Sequence, residues 1–142
     1  MPPTFPHEQL EVYQRYVSVT GQCEELISEA LTPIAAFDHL ERALDSIGVN
    51  LMRANAQRPG SPQRCSYLDI SIASTHECAA ALDTCFARRT VEPMAYEGVL
   101  MSLWRIRGML LGMKRVKPHC VREERTAYGS PAFPFANLDM YR

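Results

Sequence analysis

FDHLERALDSIGVNLMRA, residues 37–54, is the stretch that decides the fold. In it Phe37, Leu40, Leu44, Ile47, Leu51 and Ala54 recur 3, 4, 3, 4 and 3 residues apart. At 3.6 residues per turn that spacing sets all six on one stripe of an α-helix, whereas a strand would send alternate members to opposite faces. The helix is expected over about residues 33–57. Thr32-Pro33 offers a hydroxyl able to cap, followed by the residue whose missing N–H costs nothing at the first helical position. A later start of capping-box type lies at Asp38-x-x-Glu41. A helix with one apolar stripe must bury it against other elements, so the flanking sequence has to supply partners.

Upstream, Leu10, Tyr13, Val17, Thr20, Cys23, Ile27 and Ala30 recur at three or four residues and predict a helix over about 6–31. Gly21, which costs roughly 1 kcal/mol relative to Ala inside a helix, marks a bend there or a start after Thr20. Downstream, Gln57-Arg-Pro-Gly-Ser-Pro62 cannot continue a helix, and Ser61-Pro62 repeats the cap-then-proline signal. A third helix over about 62–88 carries Leu68, Ile72, Thr75, Ala79, Leu82 and Phe86, with Ala73, Ala79, Ala80 and Ala81 permitting close approach of a neighbour. Thr90, Glu92 and Pro93 open a fourth, whose inner stripe is Tyr96, Val99, Leu103, Ile106, Leu110 and Met113 and which Pro118 stops. Short turns make sequential helices antiparallel neighbours. The expected fold is therefore all-α, an antiparallel up-and-down four-helix bundle over residues 1–117. Residues 118–142 form a non-helical tail. Its Phe133, Phe135 and Tyr141, set among prolines, suit an extended arm laid along a groove of the bundle or of a neighbouring subunit.

A chain of 142 residues, 46% of them hydrophobic, is one domain long and has enough apolar material for a core of its own. No segment approaches the roughly 20 uncharged apolar residues of a membrane span, and the N-terminus lacks the basic and apolar regions of a signal peptide, so a cytoplasmic location is expected. Cys23, Cys65, Cys78, Cys85 and Cys120 are odd in number and irregularly spaced, and neither Cys-x-x-Cys nor His-x-x-x-His occurs. Buried free thiols are expected rather than a disulfide scaffold or a metal site. Phosphate loops, nucleophile elbows and the Glu-x-x-His of carboxylate-bridged metal enzymes are absent as well, which predicts a protein without catalytic residues or cofactors.

Three features stand out against that background. Leu100, Trp104 and Leu111 add a second apolar stripe to the fourth helix, wider than one bundle interior consumes; a second copy of the chain is the simplest cover. Although the net charge is −1, Arg105, Arg107, Lys114, Arg115 and Lys117 crowd that same helix without an acid between Met101 and Lys117. They are the candidate contacts to RNA or DNA phosphates. The macrodipole also accounts for Lys114, Arg115 and Lys117, and an ion pair with the acidic first helix or simple solvation accounts for Arg105 and Arg107. Finally, Ser46 and Asn50 share a helix face at the edge of the apolar seam, with Ser74 as a candidate partner, a pattern that points to a structural hydrogen-bond network fixing register or subunit pairing.

The run Arg42-Ala43-Leu44-Asp45-Ser46-Ile47-Gly48-Val49-Asn50-Leu51 resembles the Arg-Ala-x-x-Ser-Ile-x-x-Asn-Ile signature of a four-helix-bundle family. That family includes the ribosomal-RNA intervening-sequence proteins and the accessory variability determinant of diversity-generating retroelements. Ile70, Ala73, Ser74, Glu77 and Leu82 fall where the family's third helix has its apolar, Gly-Ser and Glu-Leu positions, and the match covers about residues 20–117. The family's Asn-Ile-x-Glu-Gly continuation reads Asn50-Leu51-Met52-Arg53-Ala54 here. The resemblance implies a non-enzymatic bundle assembled into a ring, a homopentamer, in which some relatives use a basic surface to bind nucleic acid and a reverse transcriptase. The alternative is a protein-binding adaptor, in which the acidic first helix and the aromatic tail recruit a partner protein without nucleic-acid contact.

Overall fold

The computed structural model describes residues 1–115, which comprise a short 3-10 helix, Pro6–Gln9, and four α-helices with no strand among them: α1 (Glu11–Ser28), α2 (Ala35–Asn55), α3 (Pro62–Ala87) and α4 (Pro93–Arg115). The aromatic arm expected over 118–142 lies outside the described residues. The connections 29–34, 56–61 and 88–92 are six, six and five residues long, too short for anything but return to a neighbour. Bonds between α2 and α3 show their antiparallel sense. Arg64 Nη1 donates to the Ala54 carbonyl, Ser71 Oγ to that of Ile47, and Cys78 Sγ approaches that of Leu40, so that one number rises as the other falls. Asp83 with Tyr96 and Asp69 with Lys114 do the same for α3 and α4. Each helix packs on its two sequence neighbours, with α1 closing the bundle on α4, so α1 and α3 lie on one diagonal and α2 and α4 on the other.

All six residues of the α2 stripe are buried, and Ile47, Leu51, Leu40 and Ala54 are wholly so. Leu68, Ile72 and Leu82 of α3 and Val99, Leu103, Ile106 and Leu110 of α4 complete the core as expected, while Phe86 lies largely outside it, stacked on Tyr96 with ring centroids 4.4 Å apart. The expected stripe of α1 holds in part: Cys23 is buried and Leu10, Tyr13, Ile27 and Ala30 pack against the core, but Val12, Val19 and Leu26 are buried as well and Val17 is 53% exposed, so the helix is turned from the expected phase. The reason lies at Gly48. An added Cβ there would come within 2.5 Å of Cε2 of Tyr16 and 2.6 Å of its hydroxyl oxygen. Tyr16 is thus seated in the gap that the glycine leaves, and this rotates α1. The helix does not start after Thr20; Gly21 sits on the outer surface of an uninterrupted α1.

The helix ends show which start signals operate. Ser61 caps α3 by accepting from Arg64 N–H at 3.2 Å, with Pro62 in the first turn. Thr32-Pro33 does not start α2. That helix begins two residues later, and its N-cap position, Ile34, has no side-chain cap. Glu92, accepting from Ala95 N–H at 2.8 Å, serves α4. Thr90 instead closes α3: its N–H donates to the Cys85 carbonyl while Arg89 N–H donates to that of Phe86, with Arg89 in the left-handed region at φ 56°.

Candidate assembly and nucleic-acid surfaces

The outward stripe of α4 runs Met94, Gly98, Met101, Arg105, Gly108, Gly112, at steps of four and three residues, and every member is exposed. An added Cβ at Gly98, Gly108 or Gly112 would meet nothing within 4 Å. Each glycine costs roughly 1 kcal/mol against Ala in a helix, and no packing among the described residues requires it. Leu100, Trp104 and Leu111 border this stripe on the α3 side and remain partly exposed, next to Met101 at 55%. The strip is thus apolar and low in relief, and accessible. Trp104 carries the Arg107 guanidinium over its ring, 4.6 Å from carbon to centroid, a cation–π contact.

The five candidate phosphate ligands do not form one surface. Arg105 and Arg115 are exposed, and Arg107 is half-buried beside Trp104. Lys114 corrects the sequence expectation: it is buried, and its ammonium lies on the Asp69 carboxylate, itself only 14% exposed. An ammonium already neutralised inside the α3–α4 seam has no charge to offer a phosphate without breaking that pair. Lys117 lies outside the described residues. Further along the seam, His76 is pushed below its ordinary value by burial and by the neighbouring Arg107, and Tyr96 donates to Asp83 at 2.7 Å. That hydrogen bond, with burial, pushes the Tyr96 phenol up to about 12.

Ser46, Asn50 and Ser74 come together where α2 meets α3. Asn50 Nδ2 donates to the Ser46 carbonyl at 2.8 Å and to Ser46 Oγ at 3.2 Å, and the two serine hydroxyls lie 2.7 Å apart. Ser74 Oγ also donates to the Ile70 carbonyl at 2.8 Å. Each hydroxyl has one proton, so the arrangement reads as a chain: amide to Ser46, Ser46 to Ser74, Ser74 to backbone. Asn50 Oδ1 is buried and has no hydrogen-bond partner among the described residues. Sequence reasoning missed two neighbours of this chain, Ser71 bonded to the Ile47 carbonyl at 2.8 Å and Thr75 bonded to that of Ser71 at 2.9 Å. Their signal was a run of small hydroxyl residues within the third helix, at positions where apolar side chains would otherwise fill the seam.

The cysteines divide. Cys23, Cys78 and Cys85 are buried free thiols, and burial pushes Cys23 up to about 12 and raises the other two. Cys65 departs from the expectation, being disulfide-bonded. Among the described residues no group of three or more His, Cys, Asp or Glu is placed to hold a metal ion. A groove of about 490 Å³ opens where the first turn of α2 meets the C-terminal half of α3; alanines including Ala36 and Ala80 floor it, and His39, Glu77, Thr84 and Arg88 are its polar lining. Among the described residues no helix is long and apolar enough to cross a membrane.

No family model matches the chain, and no curated protein matches it. Among solved structures it is similar to a protein of unknown function of the S23 ribosomal protein family from Bacteroides thetaiotaomicron, known from a crystal structure at 1.70 Å resolution. The two superpose with a TM-score of 0.64 at 16% sequence identity, over 74% of this chain and 99% of that one. At that identity the likeness establishes the fold alone: this chain is an all-α four-helix bundle with a solved counterpart whose own role is unknown.

Proposed function

We propose that the protein is a non-enzymatic scaffold that works as a homo-oligomer, with the apolar strip of α4 as a subunit interface. The observation that carries this is the partly exposed Leu100, Trp104 and Leu111 beside Met101, left over after one bundle interior has been filled. The resemblance in α2 supports the same reading and sets its expected size, a pentameric ring of the kind formed by the intervening-sequence proteins. Replacing Trp104 and Leu111 together by glutamine tests it. A smaller native mass with helix content retained supports the interface, and an unchanged mass places the interface elsewhere.

A second reading has its own observation. No acid lies between Gly98 and Arg115, so Arg105, Arg107 and Arg115 present a positive field to anything that approaches α4. The ribosomal name of the similar structure leans the same way, toward RNA. With Lys114 withdrawn into its ion pair, Arg105, Arg107 and Arg115 are the cations that the described residues of α4 offer, which suits a weak, salt-sensitive contact accessory to assembly. RNA affinity that stayed constant as salt was raised would remove this reading. An adaptor role without nucleic acid is what remains if the oligomer purifies free of RNA and DNA.

A further inference from the structure

The α4 strip faces away from α3 and α1, and α2 occupies the opposite corner of the bundle, so the outer stripes of α2 and α4 lie on opposite sides of the subunit. Their characters are complementary. On α2 the exposed outer residues are Asp38, Glu41, Asp45, Val49 and Met52, three acids followed by two apolar side chains. Arg42 and Arg53, the exposed arginines of the helix, are drawn off this stripe: Arg42 Nε donates to the Asp38 carbonyl at 3.3 Å, and the Arg53 guanidinium lies 6.0 Å from the centre of the Tyr67 ring on α3. On α4 the outer stripe is basic and apolar, with Arg105, Arg115 and Met101 separated by glycines that admit a neighbouring helix at close range. From Asp38 to Met52 and from Met101 to Arg115 each stripe rises through about 21 Å at 1.5 Å per residue, so the two match in length.

We propose that the basic outer stripe of α4 in one copy docks on the acidic outer stripe of α2 in the next, a head-to-tail contact between unlike faces. This rests on the self-association proposed above and adds the surface on which α4 lands. Unlike faces on opposite sides of a subunit propagate the contact from copy to copy, and the chain of subunits closes into a ring where the rotation per step allows. Charge sets partner and orientation: α4 against a second α4 brings arginines together, and α2 against α2 brings carboxylates together, while only the mixed pairing relieves both. In this arrangement Arg105 and Arg115 serve the assembly and are withdrawn from phosphate.

The test uses three variants of the full chain, all changed at exposed positions: Asp38→Lys with Asp45→Lys, Arg105→Glu with Arg115→Glu, and the four changes combined. Native mass is read by light scattering at low salt, with circular dichroism to verify helix content. Either pair alone should shift the species toward the 16.0 kDa monomer, and the combined variant, whose faces are again complementary with the signs exchanged, should recover the mass of the unmodified protein. An α2 pair that leaves the mass unchanged overturns the head-to-tail contact while self-association through α4 stands. An α4 pair that loses bound RNA at unchanged mass also overturns it and assigns the arginines to phosphate. A monomeric unmodified protein overturns this contact and the self-association on which it rests.

Discussion

Gly48→Ala is the substitution in which the packing account makes its least intuitive statement. In a helix interior Ala is better than Gly by roughly 1 kcal/mol, so on propensity alone the change stabilises α2. The structure adds an opposing cost. The new Cβ would sit 2.5 Å from Cε2 of Tyr16, against the ~3.5 Å of an ordinary carbon–carbon contact, so the ring must retreat by about 1 Å from the slot that sets the phase of α1. Overpacking of that kind costs about 1–3 kcal/mol, which leaves a net change between about zero and 2 kcal/mol of destabilisation. Gly21→Ala is the matched control, because a Cβ there meets nothing within 4 Å; it should stabilise by up to about 1 kcal/mol. In a Tyr16→Ala background the ring is gone and Gly48→Ala should turn stabilising, with a coupling energy of about 1–3 kcal/mol between the two sites. Urea unfolding followed by far-UV circular dichroism, at one protein concentration for all variants, measures each corner of the cycle. Equal stabilisation by Gly48→Ala and Gly21→Ala, or no change of sign without the ring, would refute the seating of Tyr16 on Gly48 as the determinant of α1 rotation.

Lys114→Ala removes the ammonium that lies on the Asp69 carboxylate in the α3–α4 seam and should cost about 1–3 kcal/mol, against at most about 0.5 kcal/mol for Arg105→Ala at the surface; equal melting temperatures for the two variants would contradict the burial of the pair. Arg89→Gly relieves a left-handed residue at the end of α3 and should raise stability by about 1 kcal/mol, visible as a melting temperature higher by a few degrees. The thiols give a pH dependence with a definite sign. Folding raises Cys23 from 9.0 to about 12 and raises Cys78 as well, so the neutral form is favoured in the native state. Their contribution is complete below pH 9 and declines as the unfolded thiols ionise on the way to pH 12. Unfolding free energy should fall across that window, and a Cys23→Ala, Cys78→Ala variant should show a shallower fall.

What was legible in the sequence follows from how local each determinant is. The α2 stripe reads correctly because six apolar positions at alternating steps of three and four residues leave one phase, and all six are buried. The Ser61-Pro62 start of α3 reads correctly because a cap is a contact over three residues. The first helix offers Tyr13, Tyr16, Val17 and Val19 within two turns, so two phases are compatible with its pattern. The choice between them is made by Gly48, on another helix, where the absence of a side chain leaves no hydrophobic signal. Lys114 has a sufficient local explanation as a cation in the last turn of a helix, and that explanation hides Asp69, 45 residues away and on α3. Ser46 and Asn50 were visible as a pair because they are four residues apart on one helix; Ser71, bonded to the Ile47 carbonyl, meets that helix only through the antiparallel register of α2 and α3. The surface readings divide in the same way, since a stripe can be read from spacing and the face that covers it cannot.

The central claim is that α4 has an apolar strip because another copy of the chain covers it, and native mass tests this most directly. Size-exclusion chromatography with light scattering, run at low and at high salt with absorbance recorded at 260 and 280 nm, should give a discrete species several times 16.0 kDa, near five copies if the resemblance in α2 extends to assembly. Absorbance at 260 nm that salt removes without changing the mass would add nucleic acid as a passenger on that oligomer. A single peak at 16.0 kDa in both buffers would contradict the account, leaving Leu100, Trp104 and Leu111 as surface residues without a second copy to cover them.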